Sequence, residues 1–162
     1  MNNSGQLSIS FVRNNLNIEG KNVHITVYSP RLRKIDNSGV SSITAEKLDT
    51  KSLKVENSGV GDVTLSGLTA KTVDVECSGV GSVTLKGTAA SVELECSGVG
   101  SIDAEGLSAQ AVDAEVSGVG GIRCHATESI KGEVSGVGSL KYKGTPKAKD
   151  LHRSGIGKIS QL

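Results

Sequence analysis

One stretch decides how this chain folds: Glu76-Cys77-Ser78-Gly79-Val80-Gly81-Ser82-Val83-Thr84-Leu85. Its Ser-Gly-Val step, or Ser-Gly-Ile in the last case, recurs along the 162 residues. The recurrences begin at Ser38, Ser58, Ser78, Ser97, Ser117, Ser135 and Ser154. The intervals between them are 20, 20, 19, 20, 18 and 19 residues. A period this regular is typical of a solenoid, in which each repeat stacks on its neighbours.

Apolar and polar residues alternate on both sides of each Ser-Gly step. With the serine counted as position 0, apolar residues recur at −5, −3 and −1 and again at +5 and +7, as at Val73, Val75, Cys77, Val83 and Leu85. A period of two predicts strands with one buried face. Two short strands and two corners fill each repeat and leave no room for a helix. The sequence therefore predicts an all-β fold, a single-stranded parallel β-helix of about 20 residues per turn with Ser-Gly-Val-Gly corners. We expect a right-handed coil, because about 98% of parallel crossovers are right-handed.

Equivalent residues of successive turns should stack into continuous columns. We expect the apolar residues at +2 to lie inside the coil with those at −5, −3, −1, +5 and +7. The +2 residues are Val40, Val60, Val80, Val99, Val119, Val137 and Ile156. Asn37 and Asn57 both fall at −1, in adjacent turns, and predict a stacked pair of amides. The second, looser corner of each turn should absorb the variation in repeat length.

The two ends of the chain depart from the repeat. Residues 1–30 predict irregular capping strands, because Leu7, Ile9 and Phe11, and later the odd-numbered positions 23–27, are apolar and alternate with polar neighbours. Residues 31–162 predict the regular β-helix, and the whole chain predicts one domain. Lys149 and Arg153 occupy inward columns of the last repeat, so this end is either frayed, capped by charge or continued by a partner.

Composition excludes several classes of protein. The formal net charge is +1 and only three residues are Phe or Tyr, with no Trp, which argues against nucleic-acid binding. No apolar run approaches the roughly 18 residues of a membrane span. No signal peptide is visible at the N-terminus, yet we expect an exported protein whose signal has been removed. Cys77 and Cys96 share position −1 one turn apart, a distance that permits a disulfide, but stacked parallel side chains point the same way and favour two buried free thiols, with Cys124 as a third core residue.

The candidate binding residues are outward-facing carboxylates. Three consecutive turns carry acidic residues at both −4 and −2, namely Asp74, Glu76, Glu93, Glu95, Asp113 and Glu115. Like charges repeating about every 4.8 Å repel one another, so calcium or a basic partner surface would suit this acidic ladder. A solvated, solubilising face explains the same pattern. Lys54 and Lys131 flank the ladder and should relieve part of the repulsion. No cofactor other than this calcium is expected, and no catalytic residues are indicated.

The Ser-Gly-Val-Gly corners resemble a bacterial family, the head GIN domain of putative autotransporter adhesins. The segment Ile25-Thr26-Val27-Tyr28-Ser29-Pro30-Arg31-Leu32 is similar to a Val-Thr-Val-Pro-x-Leu-like segment of that family. The resemblance covers nearly the whole chain, from about Leu7 to Ile159. It implies a pectin-lyase-like β-helix, a surface or periplasmic location and a role in adhesion without established catalytic residues. The chain departs from the family by using Cys-Ser-Gly or Val-Ser-Gly where Gly-Ser-Gly is common.

Three functional hypotheses follow. The uniform repeat and the resemblance favour a non-enzymatic cell-surface or cell-envelope module, an adhesin head that binds a host or envelope glycan or protein and is free to form homo-oligomers. A polysaccharide-active lyase or hydrolase is the second hypothesis, since β-helices host such enzymes, although this is fold-level analogy. The third is a scaffold whose exposed coil ends promote self-assembly.

Overall fold

A computed structural model describes residues 5–10, 23–29 and 31–162. These residues form ten strands and no helix. The strands are β1 (Lys34–Asn37), β2 (Ile43–Glu46), β3 (Asp49–Asn57), β4 (Val63–Cys77), β5 (Val80–Cys96), β6 (Val99–Val116), β7 (Val119–Val134), β8 (Ser139–Lys143), β9 (Ala148–Arg153) and β10 (Lys158–Gln161). Within this part of the chain, no helix is long and apolar enough to cross a membrane.

Every pairing between strands is parallel and joins equivalent residues of successive turns. The hydrogen-bonded order is β1-β3-β4-β5-β6-β7-β8-β10, with β2 on β4 and β9 on β7. Cys77 lies opposite Cys96, for example, and Val83 lies opposite Ile102. The predicted parallel β-helix is therefore confirmed, with about seven turns of about 19 residues. Its handedness stays a prediction.

The two corners of each turn differ in their hydrogen bonding. Strands β4 to β7 are 15, 17, 18 and 16 residues long, because pairing continues through the looser corner and stops only near Ser-Gly. Shifts of register fall in the looser corner, between Leu65 and Leu68 and again between Thr84 and Lys86. A further shift follows Ala104. The looser corner therefore absorbs the variation in repeat length, as predicted.

The core is a stack of aliphatic columns, except that one inward column is polar in the first two turns. The residues at −5, −3 and −1 and at +5 and +7 of the central turns are buried, including Val75, Val83 and Leu85. In the first turns the −1 column is polar: Asn37 Nδ2 donates to Asn57 Oδ1 at 3.0 Å, and Asn57 Nδ2 donates to the Gly61 carbonyl at 3.0 Å. The stacked amide pair is confirmed. Its second bond closes the corner, because it links position −1 to position +3 of the same turn.

All three cysteines are buried free thiols, as expected. Burial raises the pKa of Cys124 to about 12. The hydrogen bond with Cys96, together with burial, holds the pKa of Cys77 above its ordinary value. Both groups therefore remain protonated at neutral pH and act as core residues.

The prediction that the +2 column lies inside the coil is wrong. Its members are 50 to 86% exposed, namely Val40, Val60, Val80, Val99, Val119, Val137 and Ile156. The reason is the strict alternation of the chain, which continues through the corner. Positions −1 and +5 face inward, so the glycines at +1 and +3 take the intervening inward places and the residue at +2 must point out.

The ends only partly meet the expectations. Residues 5–10 and 23–29 contain no strand, and Leu7 and Ile9 are exposed, so the strands predicted there are not found; Phe11 lies outside the described residues. Whether residues 1–30 cap the coil stays a prediction. At the other end Lys149 Nζ lies 5.5 Å from the centroid of the Tyr142 ring, and Arg153 donates to the Gly157 carbonyl at 3.3 Å. Charged side chains therefore accompany the last described turn, and whether this end is frayed, capped by charge or continued by a partner stays a prediction.

Candidate functional site

The six carboxylates of the acidic ladder lie together on three neighbouring strands. Asp74 of β4 is opposite Glu93 of β5, which is opposite Asp113 of β6. The second column is in the same register. It consists of Glu76, Glu95 and Glu115. All six alternate with buried aliphatic residues, so their side chains point away from the core. The parallel register sets successive carboxylates about 4.8 Å apart at their Cα atoms.

Repulsion within the ladder is strongest at its centre. The pKa of Glu95 is raised by partial loss of hydration and then by the negative charges of Glu76 and Glu115. Among the described residues, a lysine pairs with one carboxylate of each outer strand: Lys54 Nζ lies 3.4 Å from Asp74 Oδ2, and Lys131 Nζ lies 2.9 Å from Asp113 Oδ2. Both flanking lysines are therefore placed as predicted.

The central carboxylates have no such neutralising partner. Among the described residues, no ion pair reaches four of the six ladder carboxylates, namely Glu76, Glu93, Glu95 and Glu115. The preceding turns differ, because Lys34 and Lys54 both contact Glu56, at 2.6 and 3.2 Å. Hydrogen bonds from these two lysines lower the pKa of Glu56. Negative charge therefore accumulates over the middle of the coil and is balanced towards its N-terminal end.

A family model described as "Putative auto-transporter adhesin, head GIN domain" matches residues 1–146. The chain belongs to this family. The GIN-domain chain is also similar to a crystal structure of a putative adhesin from Bacteroides fragilis, with 46% sequence identity and a TM-score of 0.81. The similarity covers 83% of this chain and 62% of that chain, so the present sequence spans less than two thirds of its neighbour. No curated protein matches the chain.

Membership of the GIN-domain family implies a cell-surface or envelope location, and the adhesin-type matches favour a non-enzymatic role. The surface of this GIN domain is shallow beside the ladder. A depression of about 360 Å³ borders it at Asp113 and Lys131 and includes Ser91 and Ser129 of neighbouring turns. It is lined mainly by strand residues rather than by long loops, so a ligand here would lie along the coil rather than enter it.

The ladder contains no preformed metal site. In residues 5–10, 23–29 and 31–162, no group of three or more His, Cys, Asp or Glu side chains is arranged to hold a metal ion. The carboxylates are spread along a straight column, whereas a calcium ion gathers six to eight oxygens around one point. Calcium binding at the ladder therefore stays a prediction that requires the side chains to move.

The remaining charged groups of interest form local pairs. Arg123 NH1 lies 3.6 Å from Glu105 Oε2, and His152 Nε2 lies 2.8 Å from Asp150 Oδ1. The prediction from the sequence did not identify a different surface feature, the exposed valine column at +2. Counting inward and outward positions through the corner identifies it, because +2 differs by an odd number from the buried positions −5, −3, −1, +5 and +7.

Proposed function

We propose that this GIN domain is a non-enzymatic adhesin head, displayed at the surface of a bacterium, and that it contacts its partner through the acidic ladder. The partner is a protein at a host or envelope surface that presents basic side chains. The observation that carries this proposal is the group of ladder carboxylates that no lysine of the described residues pairs with, held in register on three neighbouring strands. These carboxylates are Glu76, Glu93, Glu95 and Glu115.

The electrostatics of the ladder favour a basic partner. The raised pKa of Glu95 indicates that its ionised form is disfavoured, first by partial loss of hydration and then by the negative charges of Glu76 and Glu115. Lysine or arginine side chains placed over the ladder would offset this repulsion, and arginine can also donate two hydrogen bonds to one carboxylate. Because the carboxylates stand on a rigid parallel ladder, binding would cost little backbone entropy. Repetition along the coil would allow several weak contacts at once.

Adhesion itself can be tested by display. The chain would be presented on the surface of a non-adherent bacterium, and retention of these cells on epithelial monolayers would be compared with that of cells carrying an empty display scaffold. We expect higher retention with the chain, and inhibition by the purified chain added in solution. Equal retention of the two strains would contradict the adhesin proposal.

The role of the ladder can be tested separately with charge-matched variants. The triple substitution Glu93→Gln, Glu95→Gln and Glu115→Gln removes three negative charges from its centre. The control removes three charges elsewhere. It combines Glu46→Gln, Asp49→Asn and Glu128→Gln. We expect the ladder variant to lose most retention and the control to keep it. Equal loss would indicate a general charge effect, and unchanged retention of the ladder variant would show that another face binds.

The same ladder variant distinguishes binding from catalysis. Purified chain would be incubated with pectin-like polysaccharides, with and without calcium, and the release of reducing or unsaturated sugars measured. We expect no release above a heat-denatured control. Release that is abolished by Glu95→Gln would replace the adhesin proposal with a polysaccharide-active enzyme.

A further inference from the structure

The exposed column at +2 forms a continuous apolar strip along one corner of the coil. Seven turns contribute one Val or Ile each, all at least half exposed. Six steps of about 4.8 Å give the strip a length of roughly 29 Å. A contiguous apolar patch of this kind on a soluble protein commonly marks an interaction site.

The strip is also almost free of charge, unlike the acidic face beside it. Position 0 is serine in all seven turns. Position +4 carries small or polar residues with one charge of each sign. The +4 residues are Ser42, Asp62, Ser82, Ser101, Gly121, Ser139 and Lys158. The two-fold arrangement below sets each +4 residue opposite a serine at position 0, so neither Asp62 nor Lys158 meets a like charge across the column.

We propose that this valine strip is the docking surface for a second copy of the chain. The two coils lie side by side and parallel, related by a two-fold axis that runs along the coil direction. Such an interface is isologous and closed, so it produces a dimer and not a fibre. The strip itself contains none of the six ladder carboxylates, although the −2 column of the ladder flanks it, and the dimer does not depend on the adhesin proposal.

The first argument for a second copy is the spacing of the turns. A two-fold axis along the coil sets every turn opposite its own equivalent, so the valines of the two strips coincide at each level. The uneven repeats of 18 to 20 residues cause no mismatch, because both copies carry the same irregularities. Identical side-chain columns at the same spacing form dry, well-packed contacts in cross-β assemblies for this reason.

The second argument is charge complementarity beside the strip. With +2 on the two-fold axis, position −2 of one copy faces position +6 of the other. Two turns then place an acidic residue opposite a basic one, Glu115 opposite Arg123 and Glu133 opposite Lys141, and one turn places two acidic residues opposite each other, Glu95 and Asp103. Each such pair occurs twice in the dimer. Antiparallel coils would instead place the two acidic −2 columns on the same side, where they repel.

The third argument is the size of the strip. The seven residues expose on the order of 600–700 Å² per copy, so a dimer that covered all of this surface would bury at most about 1,200–1,400 Å². That is the lower end of the range for specific, stable interfaces. We therefore expect a reversible dimer and not a permanent one.

The decisive experiment uses Val119, which is 57% exposed and lies one turn away from Val99, the middle residue of the strip. Sedimentation equilibrium of the whole chain should show a mass that rises with concentration from 16.6 kDa towards twice that value. Val119→Lys and Val119→Glu should each weaken dimerisation at least about 10-fold, because like charges then face each other. A 1:1 mixture of the two variants should dimerise again, because only the parallel arrangement brings position 119 of both copies together. Gln110→Lys, an exposed change in the looser corner, is the control and should behave as the unmodified chain.

A charge exchange tests the flanking contacts without touching the strip. Glu133→Lys and Lys141→Glu should each weaken the dimer, and the combined variant should restore it. Within one chain both changes place opposite charges side by side, because Glu133 lies opposite Glu115 and Lys141 lies opposite Arg123. The melting temperature of the monomer should therefore not fall.

Two results would overturn the proposal. One is a chain that remains a monomer up to several hundred micromolar, including one that instead binds phosphatidylcholine vesicles through the strip. The other is a dimer that Val119→Lys leaves unchanged, since the contact would then lie on another face.

Discussion

The two corners of each turn differ in how strictly they set the residue pairing between neighbouring turns. At the Ser-Gly-Val-Gly corner the backbone repeats the same hydrogen bonds from turn to turn: Ser58 and Gly59 both donate to the Asn37 carbonyl, and Ser78 and Gly79 both donate to that of Asn57. At the looser corner the pairing slips by one or more residues between neighbouring turns. One corner therefore fixes the register of the coil, and the other accommodates differences in length.

Glycine explains the difference in steric terms. A Cβ added at Gly120, position +3 of its turn, would overlap the carbonyl oxygen of Gly100 in the previous turn. At Gly106, in the looser corner, a Cβ would meet mainly the Lys86 side chain, with Cγ at 2.8 Å, and a flexible side chain can move away. The fixed corner thus needs glycine because two backbones approach closely, whereas in the looser corner the need differs from turn to turn: Gly106 can accept a Cβ, but a Cβ at Gly87 would overlap the Leu68 carbonyl oxygen.

The largest expected effect comes from inserting one residue. An alanine inserted after Gly120 would shift the following strand by one position and turn its buried face outward, so we expect a loss of roughly 4 kcal/mol or more in the free energy of unfolding. An alanine inserted after Gly106 falls where the register already slips and should cost about 1 kcal/mol or less. Urea denaturation would measure both. Equal losses would show that the two corners do not differ in tolerance.

A smaller but still large effect is expected from glycine substitution. Gly120→Ala should lower the free energy of unfolding by roughly 3 kcal/mol, because the backbones of two turns would have to separate. Gly106→Ala is the matched control and should change it by less than about 1 kcal/mol. Guanidinium denaturation would compare the two. A small cost at Gly120 would mean that the fixed corner can widen, contrary to the steric account.

The smallest expected effect concerns the side chain that closes the fixed corner. Asn57→Ala removes the hydrogen bonds to Asn37 and Gly61 and leaves a cavity, and should cost roughly 2 kcal/mol. Asn57→Cys should cost less, because Cys77 occupies the same position in the next turn and its Sγ lies 3.9 Å from the Gly81 carbonyl. Thermal unfolding would rank the two variants. An equal cost would show that the corner depends on the amide itself and that a thiol cannot replace it.

The candidate site was predictable from sequence to the level of its residues. The acidic positions recur at −4 and −2, and parallel stacking then brings all six carboxylates together, which the structure shows. The sequence did not predict which charged side chains contact one another. That Lys54 contacts Asp74 and Glu56 together depends on side-chain conformation across turns, which no spacing rule provides.

The +2 column shows where an apolar residue type misleads. A valine such as Val80 or Val99 is expected to be buried, but the alternation of the strand places both side chains at the surface. Position in the alternation outweighed hydrophobicity, because a residue cannot face the core without turning its neighbours outward. The glycines on either side were the signal, since they occupy the inward places where successive backbones meet.

The sequence by itself determined the repeat, the parallel coil, the stacked asparagines and the acidic columns, because each follows from a period of two within a period of about 20 residues. Only the tertiary structure decided that the valines lie on the surface, that the looser corner stays hydrogen-bonded and that the ladder is neutralised only at its edges. Periodicity fixes which residues share a column. The direction of a column at a corner, and the charges that reach it, depend on how closely neighbouring turns pack.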